Sequence, residues 1–271
     1  MNFIENPELY VFVECVVALG ISGIAYKLKM LSLSGMIAAT IIGGIIFGLG
    51  GISATVLLMF FFVSGSLLTK LNKTQASNSK KRGDSRNWKQ VLCNGAIPAL
   101  CLIIIALRHD LREEISLLFL GALATATADT WATEIGTRFG KKFYNVFTFR
   151  PMEKGLSGGV SFIGIFTSMI GAFFIAAISL IRFNETDPLC GLVLVKVIPV
   201  ITFAGFLGGL LDSIIGATIQ AKYKLPDGSI TEVWSEGAVL ISGIPFIGNN
   251  ATNLIATFWG GLLAIWLGAV L

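Results

Sequence analysis

Residues 115–136 read ISLLFLGALATATADTWATEIG. The stretch has the length and apolar character of a helix that crosses a bilayer, for which about 20 residues are needed. Yet it carries an acid. Asp129 comes fourteen residues after Ile115, about 21 Å along a helix rising 1.5 Å per residue and roughly 9 Å short of the far edge of a ~30 Å hydrocarbon core. A carboxylate at that depth costs on the order of 2.5 to 3.5 kcal/mol and normally faces a partner or a polar cavity. Thr125 and Thr133, at i−4 and i+4, continue Asp129 into a polar stripe, with Glu134 near the helix end and Gly136 and Gly140 loosening the exit.

The rest of the chain agrees with a membrane setting. Of 271 residues, 54% are hydrophobic and only 13% charged, at a mean hydropathy of +0.80, where soluble domains carry roughly 25% charge. The 31 glycines fall largely inside apolar runs without a fixed period, as expected where membrane helices approach closely. Four cysteines, Cys15, Cys93, Cys101 and Cys190, stand singly, without CxxC pairing or a nearby histidine, so neither a zinc site nor a disulfide framework is supported. His109, the one histidine, sits in a short charged connection and reads as a solvated loop residue. Glu5 and Glu8 precede any basic residue, so the first apolar run reads as a retained helix rather than a signal peptide.

Apolar runs predict an all-α, polytopic transmembrane helical bundle, a single integral-membrane domain over 1–271. The spans fall near 9–27, 33–49, 52–71, 91–107, 115–136, 160–181, 193–221 and 251–271. Little more than Gly50-Gly51 separates the second from the third, so about eight spans are expected, or seven if that pair is a re-entrant segment. A polar, basic loop is expected at 72–89. With eight spans, one set of connections holds sixteen of the twenty Lys and Arg residues. By the positive-inside rule these connections are cytoplasmic and both termini lie outside, and the expected location is the plasma membrane of a prokaryote.

The seventh predicted span ends FAGFLGGLLDSIIGATIQAKY, with Asp212 sixteen residues after Lys196, about 24 Å along its helix. Two aspartates from different helices thus reach similar depth toward the cytoplasmic side. Such an oxygen-rich pair suits Mg²⁺, which keeps several waters and is shared between carboxylates and phosphates. Ser213 and Gln220 would add neutral oxygens, and Gly208, Gly209 and Gly216 would allow close approach. The plainer alternative is that each aspartate only hydrogen-bonds a neighbouring helix.

The connection RFGKKFYNVFTFRPMEKGLSGGVS joins Arg138, Lys141, Lys142, Arg150 and Lys154 to a small-residue segment at 155–161. Backbone N–H groups at a glycine-rich turn entering a helix, with basic residues nearby, bind anions such as phosphates. Basic cytoplasmic loops are also ordinary topology determinants, and no GxxxxGK[ST] motif is present. In the last connection Glu232 and Glu236 read as solvated acids, or as an extra metal ligand or a base, while Asn249, Asn250 and Asn253 read as helix caps or as site residues.

The segments LSLSGMIAATIIGG (31–44), ATADTWATEIG (126–136), LSGGVSFIG (156–164), GGLLDSIIGATIQ (208–220) and NNATN (249–253) together resemble the membrane family of plant phytyl-phosphate kinase and animal transmembrane protein nineteen. More distantly, Asp129 to Gly140 followed by Lys154 and Gly158-Gly159 is similar to polyprenol kinases and CTP:phosphatidate cytidylyltransferases. The resemblance implies phosphoryl transfer from CTP or another nucleoside triphosphate to an isoprenoid monophosphate in the membrane lipid. It places Asp129, Glu134 and Asp212 at a Mg²⁺ ion as catalytic and metal residues. Arg138, Lys142, Lys154, Ser157, Gly158, Gly159, Ser161, Ser213, Gln220 and Asn250 are expected at the substrates and their phosphates. No cysteine pair stands in 223–236, where many relatives would have one, which leaves Glu232 without an assigned role. No nucleic-acid partner is expected. A transporter or channel is the competing reading, since FLGALATATAD (119–129) and FLGGLLD (206–212) echo one another as repeat-built carriers do; transport sites lie near the midplane, whereas both aspartates are expected nearer the cytoplasmic edge.

Overall fold

The computed structural model describes residues 7–73, 85–181 and 194–271. Among them are α1 (Pro7–Lys27), α2 (Leu33–Lys73), α3 (Trp88–Leu107), α4 (Arg112–Phe139), α5 (Phe162–Ile178), α6 (Leu194–Thr218) and α7 (Asn249–Val270). The expected all-α bundle forms. Five of these helices, α2, α3, α4, α6 and α7, are long and apolar enough to cross a membrane, while α5 is shorter. Most of the predicted basic loop, residues 74–84, and Cys190 lie outside the described residues.

The second and third predicted spans are the two arms of α2. A straight helix of 41 residues would run about 60 Å. Instead Gly51 takes φ 63° and ψ −159°, a region that glycine enters without the penalty a Cβ brings, and the chain turns back. Lys70 Nζ at the end of the second arm donates to the Leu28 carbonyl, 2.7 Å away, just before the first arm begins. Gly35 and Gly65, thirty residues apart in sequence, both lie against Arg86. α1 runs antiparallel to the first arm, tied by a 2.6 Å contact between the Ser22 and Thr40 hydroxyls.

α4 is the central helix: residues 118–128 are all buried, and it packs against α2, α3, α5, α6 and α7. Lipid tails are as apolar as leucine, so helices in a bilayer associate through close packing at small residues. A Cβ on Gly208 of α6 would lie 2.2 Å from Thr125 Oγ1, and one on Gly260 of α7 would press on the same atom. Gly205 meets Ala124, and Gly209 meets Ala128 and the backbone of Asp129. Residue numbers rise together across this interface, so α4 and α6 are parallel. α7 is antiparallel to α4, with Gly121 against Gly260 and Ala264, and Leu117 against Gly268.

The connections at one end of the bundle converge. Asn72 donates to the Glu134 carbonyl at 2.9 Å, Arg138 donates to the Leu71 carbonyl, and Gly158 sits on Ala217 at the end of α6. Two sheets decorate this end, neither anticipated from the apolar pattern. β1 (Tyr144–Asn145) pairs antiparallel with β2 (Gly159–Val160). β3 (Lys222–Lys224) lies between β4 (Ile230–Thr231) and β5 (Val239–Ser242), antiparallel to both.

Candidate functional site

Parallel packing of α4 on α6 carries Asp129 and Asp212 to the same level, where their carboxyl groups are in side-chain hydrogen-bond contact. Both residues are half-buried. Two carboxyl groups in contact are held together either by a shared proton or by a cation, and a hard divalent ion takes such oxygen ligands. α7 adds an amide: with its side chain oriented to satisfy both partners, Asn253 donates to Asp212 Oδ1 at 3.1 Å and to the Asn249 carbonyl at 2.8 Å. The N-cap of α7 is Gly248, so Asn249, Asn250 and Asn253 stand inside the helix and do not cap it. Their spacing of four between Asn249 and Asn253, which shares one helix face, was the available signal.

Glu134 does not join the pair. Five residues further along α4, it is rotated by about 140° from Asp129. Its Oε1 accepts from Thr69 Oγ1 and its Oε2 from Asn72 Nδ2, both at 2.8 Å. Among the described residues no three His, Cys, Asp or Glu side chains gather closely enough to hold an ion. A magnesium ion here would therefore rest on Asp129 and Asp212, with the remaining positions left to water and phosphate oxygens. That donor set fits Mg²⁺, which commonly takes one or two carboxylates. Thr125, read in sequence as part of a polar stripe, is buried between glycines and donates to the Gly121 carbonyl at 2.8 Å.

Arg86 is a residue that sequence reasoning left with the topology-determining basic loop. Its N–H donates to the Met30 carbonyl at 2.9 Å and its carbonyl accepts from Ser32 at 3.0 Å. The guanidinium lies 5.2 Å from the ring of Phe61 and 5.7 Å from that of Phe62. Burial draws its pKa down while the nearby Glu134 carboxylate opposes that shift; a guanidinium stays charged regardless. Arg86 Nη2 and Thr130 Cγ2 both lie against Gly65, so the guanidinium sits beside the residue that follows Asp129 on α4. The signal was the Asn87–Gln90 capping box, with reciprocal bonds of 3.2 and 3.0 Å. It sets Arg86 at the residue just before a helix.

The glycine-rich segment is engaged with its own protein. Glu232 Oε1 accepts from the Ser157 N–H at 2.5 Å, and Gln220 Nε2 donates to Glu232 Oε2 and Ser157 Oγ, both at 3.0 Å. Thr252 of α7 donates to Gln220 Oε1 at 3.3 Å. Glu232, without a role in the sequence reading, is thus the anion that the Ser157 backbone binds. Buried Lys222 lies near it; burial lowers its pKa, against the pull of Glu232. Gly158, at φ +85°, and Gly159 serve close packing and turning. Ser161 is the N-cap of α5, accepting from Gly164 at 3.1 Å. Ser213 donates back to the Gly209 carbonyl at 3.4 Å, and Asn250 Oδ1 faces the Cys93 thiol at 3.9 Å. Arg138 spends a guanidinium N–H on the end of α2, while Lys142 and Lys154 are exposed.

A sequence profile described as "Integral membrane protein DUF92" matches residues 16–261. Among curated relatives, Protein PGR of Arabidopsis thaliana is 29% identical over 270 residues, covering 93% of each chain. An uncharacterized membrane protein of Methanocaldococcus jannaschii is 28% identical over 94% of this chain and 91% of its own. Protein VTE6, chloroplastic, of Arabidopsis thaliana is 25% identical over 87% of this chain and 64% of its own length. No solved structure matches. These matches bear out the family resemblance carried by ADTWATEIG and LLDSIIGATIQ.

Proposed function

The chain belongs to the DUF92 family of integral membrane proteins, and on that premise we propose that it is an isoprenyl-phosphate kinase. It transfers a phosphoryl group from CTP or another nucleoside triphosphate to a phytyl or other prenyl monophosphate, with Mg²⁺, at the cytoplasmic face of a prokaryotic plasma membrane. The observation that carries this reading is the meeting of Asp129 and Asp212, beside the end of the bundle where the basic connections gather.

An oxygen of the acceptor monophosphate attacks the γ-phosphorus. The bond from that phosphorus to the β,γ-bridging oxygen breaks, and the nucleoside diphosphate leaves with the electron pair. The attacking oxygen is already anionic, so positioning and charge neutralisation matter more than a base. A magnesium ion on Asp129 and Asp212 would supply that neutralisation. Asn253 orients Asp212, and Thr69 and Asn72 hold Glu134, fixing α2 against α4. A lipid acceptor with its phosphate at the interface meets a water-soluble nucleotide at this depth.

The test is incubation of the purified protein with labelled CTP, Mg²⁺ and a panel of prenyl monophosphates. A labelled prenyl diphosphate is expected. Folded protein that makes none from any acceptor or nucleotide overturns the reading. The parallel α4–α6 pair favours a carrier as the second reading, and substrate uptake into sealed proteoliposomes without nucleotide would select it.

A further inference from the structure

A cavity of about 90 Å³ lies among α1, both arms of α2 and α3. Its walls are mainly apolar, including Ile42, Phe47, Leu58 and Met59, while Arg86, Gln90 and Asn94 are its strongly polar lining residues. Small-molecule sites are commonly lined by apolar side chains with a few convergent polar groups, and this lining has that character. The distribution of polarity specifies what kind of ligand it takes. Arg86 and Gln90 adjoin the start of α3, whereas Phe47 and Leu58 flank the Gly51 turn, so the polar end faces the connections and the apolar body runs into the hairpin. A Cβ on Gly65 would meet both Arg86 Nη2, at 2.5 Å, and Thr130 Cγ2, at 2.9 Å, so the guanidinium sits beside the residue that follows Asp129 on α4. The charged end of the cavity therefore lies beside the segment of α4 that carries Asp129.

We infer that this cavity belongs to the acceptor site: it takes the head-proximal part of the hydrocarbon chain of a single-chain anionic lipid, and Arg86 grips the head phosphate and presents it toward Asp129 and Asp212. This rests on the kinase reading for the identity of the head group. A guanidinium over two aromatic rings is held in one orientation, and its planar fork matches a phosphate monoester better than a lysine would. Gly35 and Gly65 are explained by the same residue. A Cβ on Gly35 would collide with the Arg86 carbonyl at 2.0 Å, and one on Gly65 with its guanidinium at 2.5 Å.

Gly43 provides the test. It lines the cavity, and a Cβ there meets only Ala18, at 3.9 Å, so a larger side chain enters the empty space without striking backbone. Equilibrium binding of phytyl monophosphate and dimethylallyl monophosphate to the detergent-purified full chain is measured without nucleotide or Mg²⁺. Gly43→Leu is expected to weaken phytyl monophosphate at least roughly tenfold and to leave dimethylallyl monophosphate unchanged, which also shows that the variant is folded. Arg86→Ala is expected to weaken both by roughly ten- to a hundredfold, as for loss of a charge-assisted contact, with phytol binding retained. Unaltered phytyl monophosphate affinity in Gly43→Leu overturns the inference, as does displacement of bulk phospholipid alone from the cavity. Chain-length-dependent binding without any diphosphate product would leave the site standing and sink the kinase; diphosphate formation indifferent to Gly43→Leu would do the reverse.

Discussion

Asp129 on α4 and Asp212 on α6 touch carboxyl to carboxyl, although they lie eighty-three positions apart in the sequence. The contact exists because α4 and α6 run parallel with glycines at 205, 208 and 209 between them, which lets backbones approach closely enough for two short side chains to meet.

If the pair acts as one unit, each single change removes the function of both. Asp129→Asn and Asp212→Asn are each expected to lower diphosphate formation on the order of a hundred- to a thousandfold, as for loss of a main electrostatic contact to a transition state. The double variant should fall little further. Mg²⁺ should raise the Tm of the wild type and not of either variant. Additive losses in the double variant would argue that the two aspartates work separately.

Gly208 is expected to be intolerant where Gly20 is not. Gly208→Val drives a side chain into Thr125 and should cost about 1 to 3 kcal/mol through overpacking, read as a lower Tm. A Cβ on Gly20 meets nothing within 4 Å, and Gly20→Ala should stabilise its helix by roughly 0.5 to 1 kcal/mol. Equal effects at the two positions would remove close packing as the reason for the α6 glycines.

Glu134 separates a tether from a metal ligand. Its oxygens accept from Thr69 and Asn72, so Glu134→Ala should cost about 1 to 3 kcal/mol by removing two side-chain hydrogen bonds between α2 and α4. Glu134→Gln keeps one acceptor oxygen and should retain the Mg²⁺ dependence of the wild type. A Glu134→Gln protein that needs far more Mg²⁺ for half-maximal rate would return Glu134 to the ion.

Lys222 should leave a mark on alkaline stability. Burial sets its pKa in the folded protein below the ordinary 10.5, so between the two values the unfolded chain binds more protons and stability rises with pH. The destabilising effect of the buried charge is full below the folded pKa and relieved above it. Lys222→Met should flatten that part of the stability curve relative to the wild type, followed by thermal unfolding at a series of pH values. Parallel curves for the two proteins would show that Lys222 pays no desolvation cost.

The bundle was legible because bilayer physics writes itself into local composition: a run of about 20 apolar residues has few other uses, and the Gly50-Gly51 hairpin stood out as a pair of glycines between two such runs. The two aspartates were legible for the same reason, since an acid inside such a run is costly wherever it points. The glycine-rich loop was less so. Its composition suits an anion, but only the folded chain shows Glu232 taking the Ser157 N–H and Ser161 capping α5.

By itself the sequence determined an all-helical membrane protein, its family, and the two residues that most need a partner. The tertiary structure alone decided that Glu134 turns to α2, that Asn253 bonds Asp212, that Arg86 lies on Phe61 and Phe62, and that an apolar cavity opens among α1, α2 and α3. The physical reason is that composition and helical period constrain which residues enter the bilayer and which face they share along one helix. Contacts between helices depend on crossing direction and on single missing side chains, and those are set only when the backbones meet.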